Sequence, residues 1–122
     1  MKNKKINIAL IGFGKWGKKI YRNLKKVSLV NVNVYTKTNK IKNKHFKVLN
    51  KISDLKLNKL DGIVCAANVK VHEKYAVLCM KHNIPVFIEK PLSKNFNFFK
   101  RPIMKSKTKR LLIVNYIYLR YL

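Results

Sequence analysis

The spacing of apolar and polar positions divides the chain into short blocks of two kinds. Ile6-Asn7-Ile8-Ala9-Leu10-Ile11 is short and nearly all apolar, which predicts a buried strand. After Gly12-Phe13-Gly14, the apolar residues Trp16, Ile20 and Leu24 recur every four positions. That spacing predicts one face of a helix over 15–26. Val30-Asn31-Val32-Asn33-Val34-Tyr35 alternates and is β-branched, so a second strand is expected there. The polar run 36–44 reads as a loop, and 45–49 as a short strand. Ser53 is placed to cap a small helical turn over 54–60. A fourth strand follows at 62–66. A second helix covers 71–82, with Tyr75, Leu78, Cys79 and His82 on one side and Asn83 at its end. A fifth strand is expected at 84–88, a weaker helical segment at 94–104 interrupted by Pro102, and a last strand from Leu111 to Val114. Strands that alternate with helices imply a parallel sheet covered on both faces. The expected fold is therefore α/β: a doubly wound parallel sheet in three αβα layers, forming one domain over residues 1–122.

Composition supports a folded domain and restricts its chemistry. Hydrophobic residues make up 48% of the 122, enough for a core without staples. Lys and Arg number 29 against 4 Asp and Glu, a net charge of +25. Such a balance suits nucleic acid or an acidic membrane surface. However, the excess is almost all lysine, is spread along the whole chain, and accompanies abundant Asn and Ile, as an AT-rich coding sequence would produce. No helix-turn-helix, zinc-finger or RNA-recognition pattern accompanies it, so nucleic acid is not the expected partner. Cys65 and Cys79 have neither metal spacing nor a disulfide framework, and both lie in apolar stretches. No metal site is expected, and buried free thiols point to the reducing cytoplasm. No apolar run reaches the ~18 residues of a membrane span. The basic, apolar start lacks a small-residue cleavage site and is better explained as a first strand.

The motif that carries chemistry is Gly12-Phe13-Gly14-Lys15-Trp16-Gly17, a G-x-G-x-x-G between a strand and a helix. Three of the four glycines in the chain fall within these six residues. Gly12 permits the sharp turn, Gly14 lets the backbone approach a pyrophosphate, and Gly17 lets the helix pack closely. The free N–H groups and positive dipole end of the following helix would then face the phosphates. This predicts a dinucleotide site of Rossmann type. Such sites specific for NAD place an acid about 20 residues on, at the end of the second strand. Here Tyr35-Thr36-Lys37-Thr38 has no carboxylate, and Thr36 with Lys37 suits a 2′-phosphate better. The cofactor is expected to be NAD(P), with a lean to NADP.

Residues 8–24, IALIGFGKWGKKIYRNL, and 61–93, DGIVCAANVKVHEKYAVLCMKHNIPVFIEKPLS, together resemble the Gfo/Idh/MocA family of glucose–fructose oxidoreductases and inositol dehydrogenases. The resemblance rests on the glycine turn, on His72 near the start of the second helix, and on Glu89-Lys90-Pro91 at the end of the fifth strand. It implies hydride transfer between a sugar or cyclitol carbon and nicotinamide, with Lys90 as a catalytic residue near the reacting hydroxyl. It also implies cofactor contacts from Gly12, Phe13, Gly14, Lys15, Trp16, Gly17, Thr36, Lys37, Ala66, Asn68, His72, Glu89, Lys90 and Pro91. For His72, a purely local hydrogen-bonding role is an equal alternative. Glu89 suggests a structural role. Trp16 resembles members acting on sugar nucleotides. The chain departs from the family after the fourth strand, where Ala67-Asn68-Val69 replaces the usual Thr-Pro-Asn. The family's C-terminal substrate domain, which brings a catalytic histidine, has no counterpart in these 122 residues. The expectation is cofactor binding with little turnover, completed by a separate C-terminal chain or a second copy. Two other readings stay open at this level: a non-catalytic NAD(P)-binding sensor or adaptor, and a basic nucleic-acid-binding protein.

Overall fold

The computed structural model describes residues 4–37, 41–95 and 97, and the strand Leu112–Asn115. Six strands form one parallel sheet: β1 (Ile6–Ile11), β2 (Val30–Thr36), β3 (Phe46–Val48), β4 (Gly62–Cys65), β5 (Val86–Glu89) and β6 (Leu112–Asn115). Their spatial order is β3-β2-β1-β4-β5-β6, and every pair is parallel. Helix α1 (Lys15–Leu24) joins β1 to β2, and α2 (Val69–His82) joins β4 to β5. The chain builds outward from β1 in one direction and then, from β4, in the other. This is the doubly wound arrangement expected from the sequence, with its switch point between β1 and β4.

The pleat explains why both faces are apolar. Leu10, Val32 and Val34 point to one side, where Ile20, Tyr21 and Leu24 of α1 cover them. Ala9, Ile11, Ile63, Cys65, Val86 and Ile88 point to the other, under Tyr75, Ala76 and Cys79 of α2. Leu10, Ile63 and Ile88 are almost fully buried. Strands buried on both faces read as near-continuous apolar runs, as β1 does.

Several boundaries differ from the expected ones for physical reasons. Helix α1 stops at Leu24, where the Lys25 N–H bonds back to Tyr21. Helix α2 starts two residues before 71, because the Asn68 side chain accepts from the Lys70 N–H and caps it. Its other end closes at Asn83, which adopts the left-handed conformation at φ 57°. Ser53 does not cap the expected turn over 54–60. Two short 3-10 turns, Ile52–Asp54 and Leu57–Lys59, stand there, and the Asp54 carboxylate accepts from the N–H groups of Asn50 and Lys51. The helical segment expected at 94–104 lies mainly outside the described residues. No helix among the described residues is long and apolar enough to cross a membrane.

Candidate functional site

The glycine turn sits at the switch point, and its three glycines face different surroundings. Gly12 has φ +93°, a left-handed backbone that suits glycine, and its N–H bonds to the Tyr35 carbonyl. A Cβ there would come within 2.9 Å of the Ala67 main chain, so the loop after β4 presses on the turn. A Cβ on Gly17 would collide with the carbonyl oxygen of Gly12. The close packing at Gly17 is thus between the helix and the turn itself. A Cβ on Gly14 would meet nothing within 4 Å and would point into open space.

That open space matters because of the helix behind it. Gly14 occupies the N-cap of α1 and offers no side chain to the first-turn amides, and that turn holds no acid. Among the described residues, the leading N–H groups and the positive end of the helix dipole therefore have no N-cap side chain and no first-turn acid to meet them. The contrast with α2, capped by Asn68, is direct. An anionic group such as a diphosphate fits this terminus.

Beside the turn, on the α2 face of the sheet, lies a cavity of about 450 Å³. Ile11, Gly12, Ala67, Val71 and Tyr75 line one part of it, and Leu49, Asn50, Lys51 and Ile52 another. Thr36 and Lys37 stand at the end of β2, and Lys74 reaches in from α2. The walls are largely apolar, three lysines border the space, and no lining residue is acidic. Tyr75 is buried, and burial lifts its phenol to about 12, so it presents a neutral hydroxyl. The dimensions and lining suit a flat apolar ring with anionic groups at its margin. Leu49, Asn50, Lys51, Ile52, Val71, Lys74 and Tyr75 were not marked by the sequence reading. They come from two separate segments with no motif, 49–52 and α2, and only the fold brings them together.

The other expected residues divide between site and scaffold. Lys15 and Trp16 are exposed on the first turn of α1, with the Lys19 ammonium 4.8 Å from the Trp16 ring centre. The Phe13 ring packs edge-on against Tyr21 and Phe46, at 5.6 and 4.8 Å between centroids. Its side chain serves the fold, leaving its main chain to the site. Ala66 packs near Gly17, and Asn68 is committed to its cap. Glu89 is buried at the end of β5, while Lys90 and Pro91 are exposed beyond it, at the same edge as the glycine turn. The Lys90-Pro91 peptide is cis. His72 is buried beneath that edge. It is 1% exposed, and its ring nitrogens lie 2.8 and 2.9 Å from the carbonyl oxygens of Pro91 and Ala67. Of the two alternatives left open for it, the structure shows hydrogen bonding to the main chain.

An oxidoreductase family model with an NAD-binding Rossmann fold, Gfo/Idh/MocA, matches residues 6–116, nearly the whole chain. The chain belongs to the Gfo/Idh/MocA family. It carries that family's NAD-binding Rossmann domain. Solved structures with the same fold include myo-inositol 2-dehydrogenase from Lactobacillus plantarum, with a TM-score of 0.75 and 21% identity over 92% of this chain. A Gfo/Idh/MocA family oxidoreductase from Vibrio cholerae gives a TM-score of 0.77 and 20% identity over 91% of this chain. The WlbA dehydrogenase from Chromobacterium violaceum, solved with NADH and UDP-GlcNAcA, gives 0.76 and 18% over 94%. The chain spans 36%, 38% and 36% of those three proteins, roughly a third of each. No curated protein matches it by sequence.

Proposed function

We propose that this Gfo/Idh/MocA domain holds a nicotinamide dinucleotide along the C-terminal edge of its sheet. The adenosine lies in the cavity bordered by Thr36 and Lys37, the diphosphate over Gly14, and the nicotinamide toward Lys90. The observation that carries this reading is the uncapped N-terminus of α1 behind an open Gly14, next to an apolar cavity of fitting size. Lys15, Trp16 and Gly17 supply the remaining first-turn contacts, and Ala66, Glu89 and Pro91 shape the edge between the two ends. The nicotinamide accepts or donates a hydride when bound. Lys90 is the catalytic residue of this chain in the proposal, polarising the substrate oxygen or exchanging a proton with it.

The cofactor preference is for NADP(H). Lys37, Lys51 and Lys74 border the cavity with Thr36, and no lining carboxylate is present to meet ribose hydroxyls or repel a 2′-phosphate. The substrate is a sugar or cyclitol hydroxyl, with contacts supplied by a second domain. On this reading the 122 residues bind cofactor with little turnover of their own. The two buried free thiols fit a cytoplasmic setting.

Calorimetric titration with NADH and with NADPH tests the proposal. Saturable binding of both, tighter for NADPH, is expected. Clearly tighter NADH binding would end the NADP(H) preference, and absence of binding to either would end the whole reading.

A further inference from the structure

Two consecutive residues of α2 tie down the segment that follows β5. The His72 Nδ1 faces the Pro91 carbonyl oxygen, and its Nε2 faces the Ala67 carbonyl oxygen. Carbonyl oxygens only accept, so a ring nitrogen that carries a hydrogen donates to the carbonyl it faces, and the ring sits wedged between the two segments. One residue further on, the Glu73 carboxylate accepts the Ser93 hydroxyl. The Ser93 oxygen also accepts the Asn95 N–H at 2.8 Å, which folds the chain just beyond the tie. A local helix-terminal histidine would need one bond within its own turn. This buried ring instead bridges two loops at the functional edge of the sheet.

The Ala67 end of the bridge is anchored in turn. Its main chain lies against Gly12, in the space that a Cβ on that glycine would enter. A continuous path therefore runs from the glycine turn through Ala67 and the His72 ring to Pro91, the neighbour of Lys90. Buried hydrogen-bonded links of this kind resist displacement, because breaking one strands a polar group away from water.

We propose that His72, seconded by the Glu73–Ser93 tie, is a positioning residue that fixes the distance between the glycine turn and Lys90. It thereby sets the reach between the diphosphate and nicotinamide ends of a bound dinucleotide. The inference rests on the cofactor reading above. A ligand that spans both ends depends on the strap, and one that occupies only the adenosine–diphosphate end does not.

The test is calorimetric titration of ADP and of NADH into the wild type and four variants: His72→Phe, Lys90→Met, the two combined, and Ser93→Ala. His72→Phe keeps a ring and removes both nitrogens that face the two carbonyls. It is expected to raise the Kd for NADH about tenfold while that for ADP stays within about twofold. In a Lys90→Met background, His72→Phe should change the NADH affinity by less than about twofold, because the residue it positions is gone. Ser93→Ala severs the second tie without touching the buried ring. It should weaken NADH about threefold and leave ADP unchanged. If His72→Phe fails to fold, Ser93→Ala decides by the same comparison. Equal weakening of both ligands, or no weakening of either, overturns the strap. A wild type that binds neither ligand overturns the cofactor reading and the strap with it.

Discussion

Three glycines in one turn have three different physical reasons to be there, and each implies a different mutant phenotype. Gly12 combines a positive φ with contact against the Ala67 main chain. Gly12→Ala should therefore cost about 1–3 kcal/mol of stability, read from urea unfolding. Gly14 has an ordinary extended backbone, φ −75° and ψ −163°, and open space before it. Gly14→Asp should cap the free amides and raise stability by a few tenths of a kcal/mol. The same carboxylate occupies the phosphate position and should abolish cofactor binding. Opposite signs in stability and affinity would separate a ligand site from an ordinary helix start. The cysteines make a simpler case. Burial pushes Cys65 up to about 11 and Cys79 up to about 12, so neither is a thiolate at neutral pH. Reaction with a thiol reagent at pH 8 should be as slow as unfolding and become fast in urea. The native state keeps protons that unfolded thiols release near 9.0. These groups therefore support folding fully below that pH and lose their contribution as pH climbs through about 11 to 12.

Among the elements, the two helices differ at their first turns, and that difference separates scaffold from site. Asn68 caps α2, so Asn68→Ala should cost about 1 kcal/mol in urea unfolding. The strands and helices around the motif were legible because each carries its own period: the apolar run of β1, the four-residue spacing of Ile20 and Leu24, the alternation of β2. The cap at Asn68 was not read as a cap, so α2 was expected two residues late. Ser53 was expected to cap a turn over 54–60, whereas a turn forms at Ile52–Asp54 and the longer-reaching Asp54 closes it. His72 was legible as a notable residue and not as a bridge, since Ala67 and Pro91 are 24 residues apart in sequence and meet only across the sheet edge. The same applies to Lys51 and Lys74. One follows β3 and the other lies on α2, and nothing local marks either as a neighbour of Lys37. If the three act on a 2′-phosphate, Lys37→Asp should weaken NADPH more than NADH. Equal effects on both would detach Lys37 from that role.

Over the whole molecule, the charge and the topology pull in different directions. A net charge of +25 on 122 residues repels itself in the compact state. Screening relieves this, so the melting temperature should rise between about 0.01 and 0.1 M salt, where the Debye length shortens. The topology supplies the functional logic. The β1/β4 switch point places an uncapped helix terminus, an apolar cavity and the Lys90 turn along one edge. Everything proposed for the domain depends on a diphosphate binding at that terminus. The most direct measurement is a backbone amide NMR titration with ADP. Saturable shifts should concentrate in residues 12–17 and in the cavity lining, with the far edge of the sheet unmoved. Amides 12–17 that stay in place at saturating ADP would contradict the site as described.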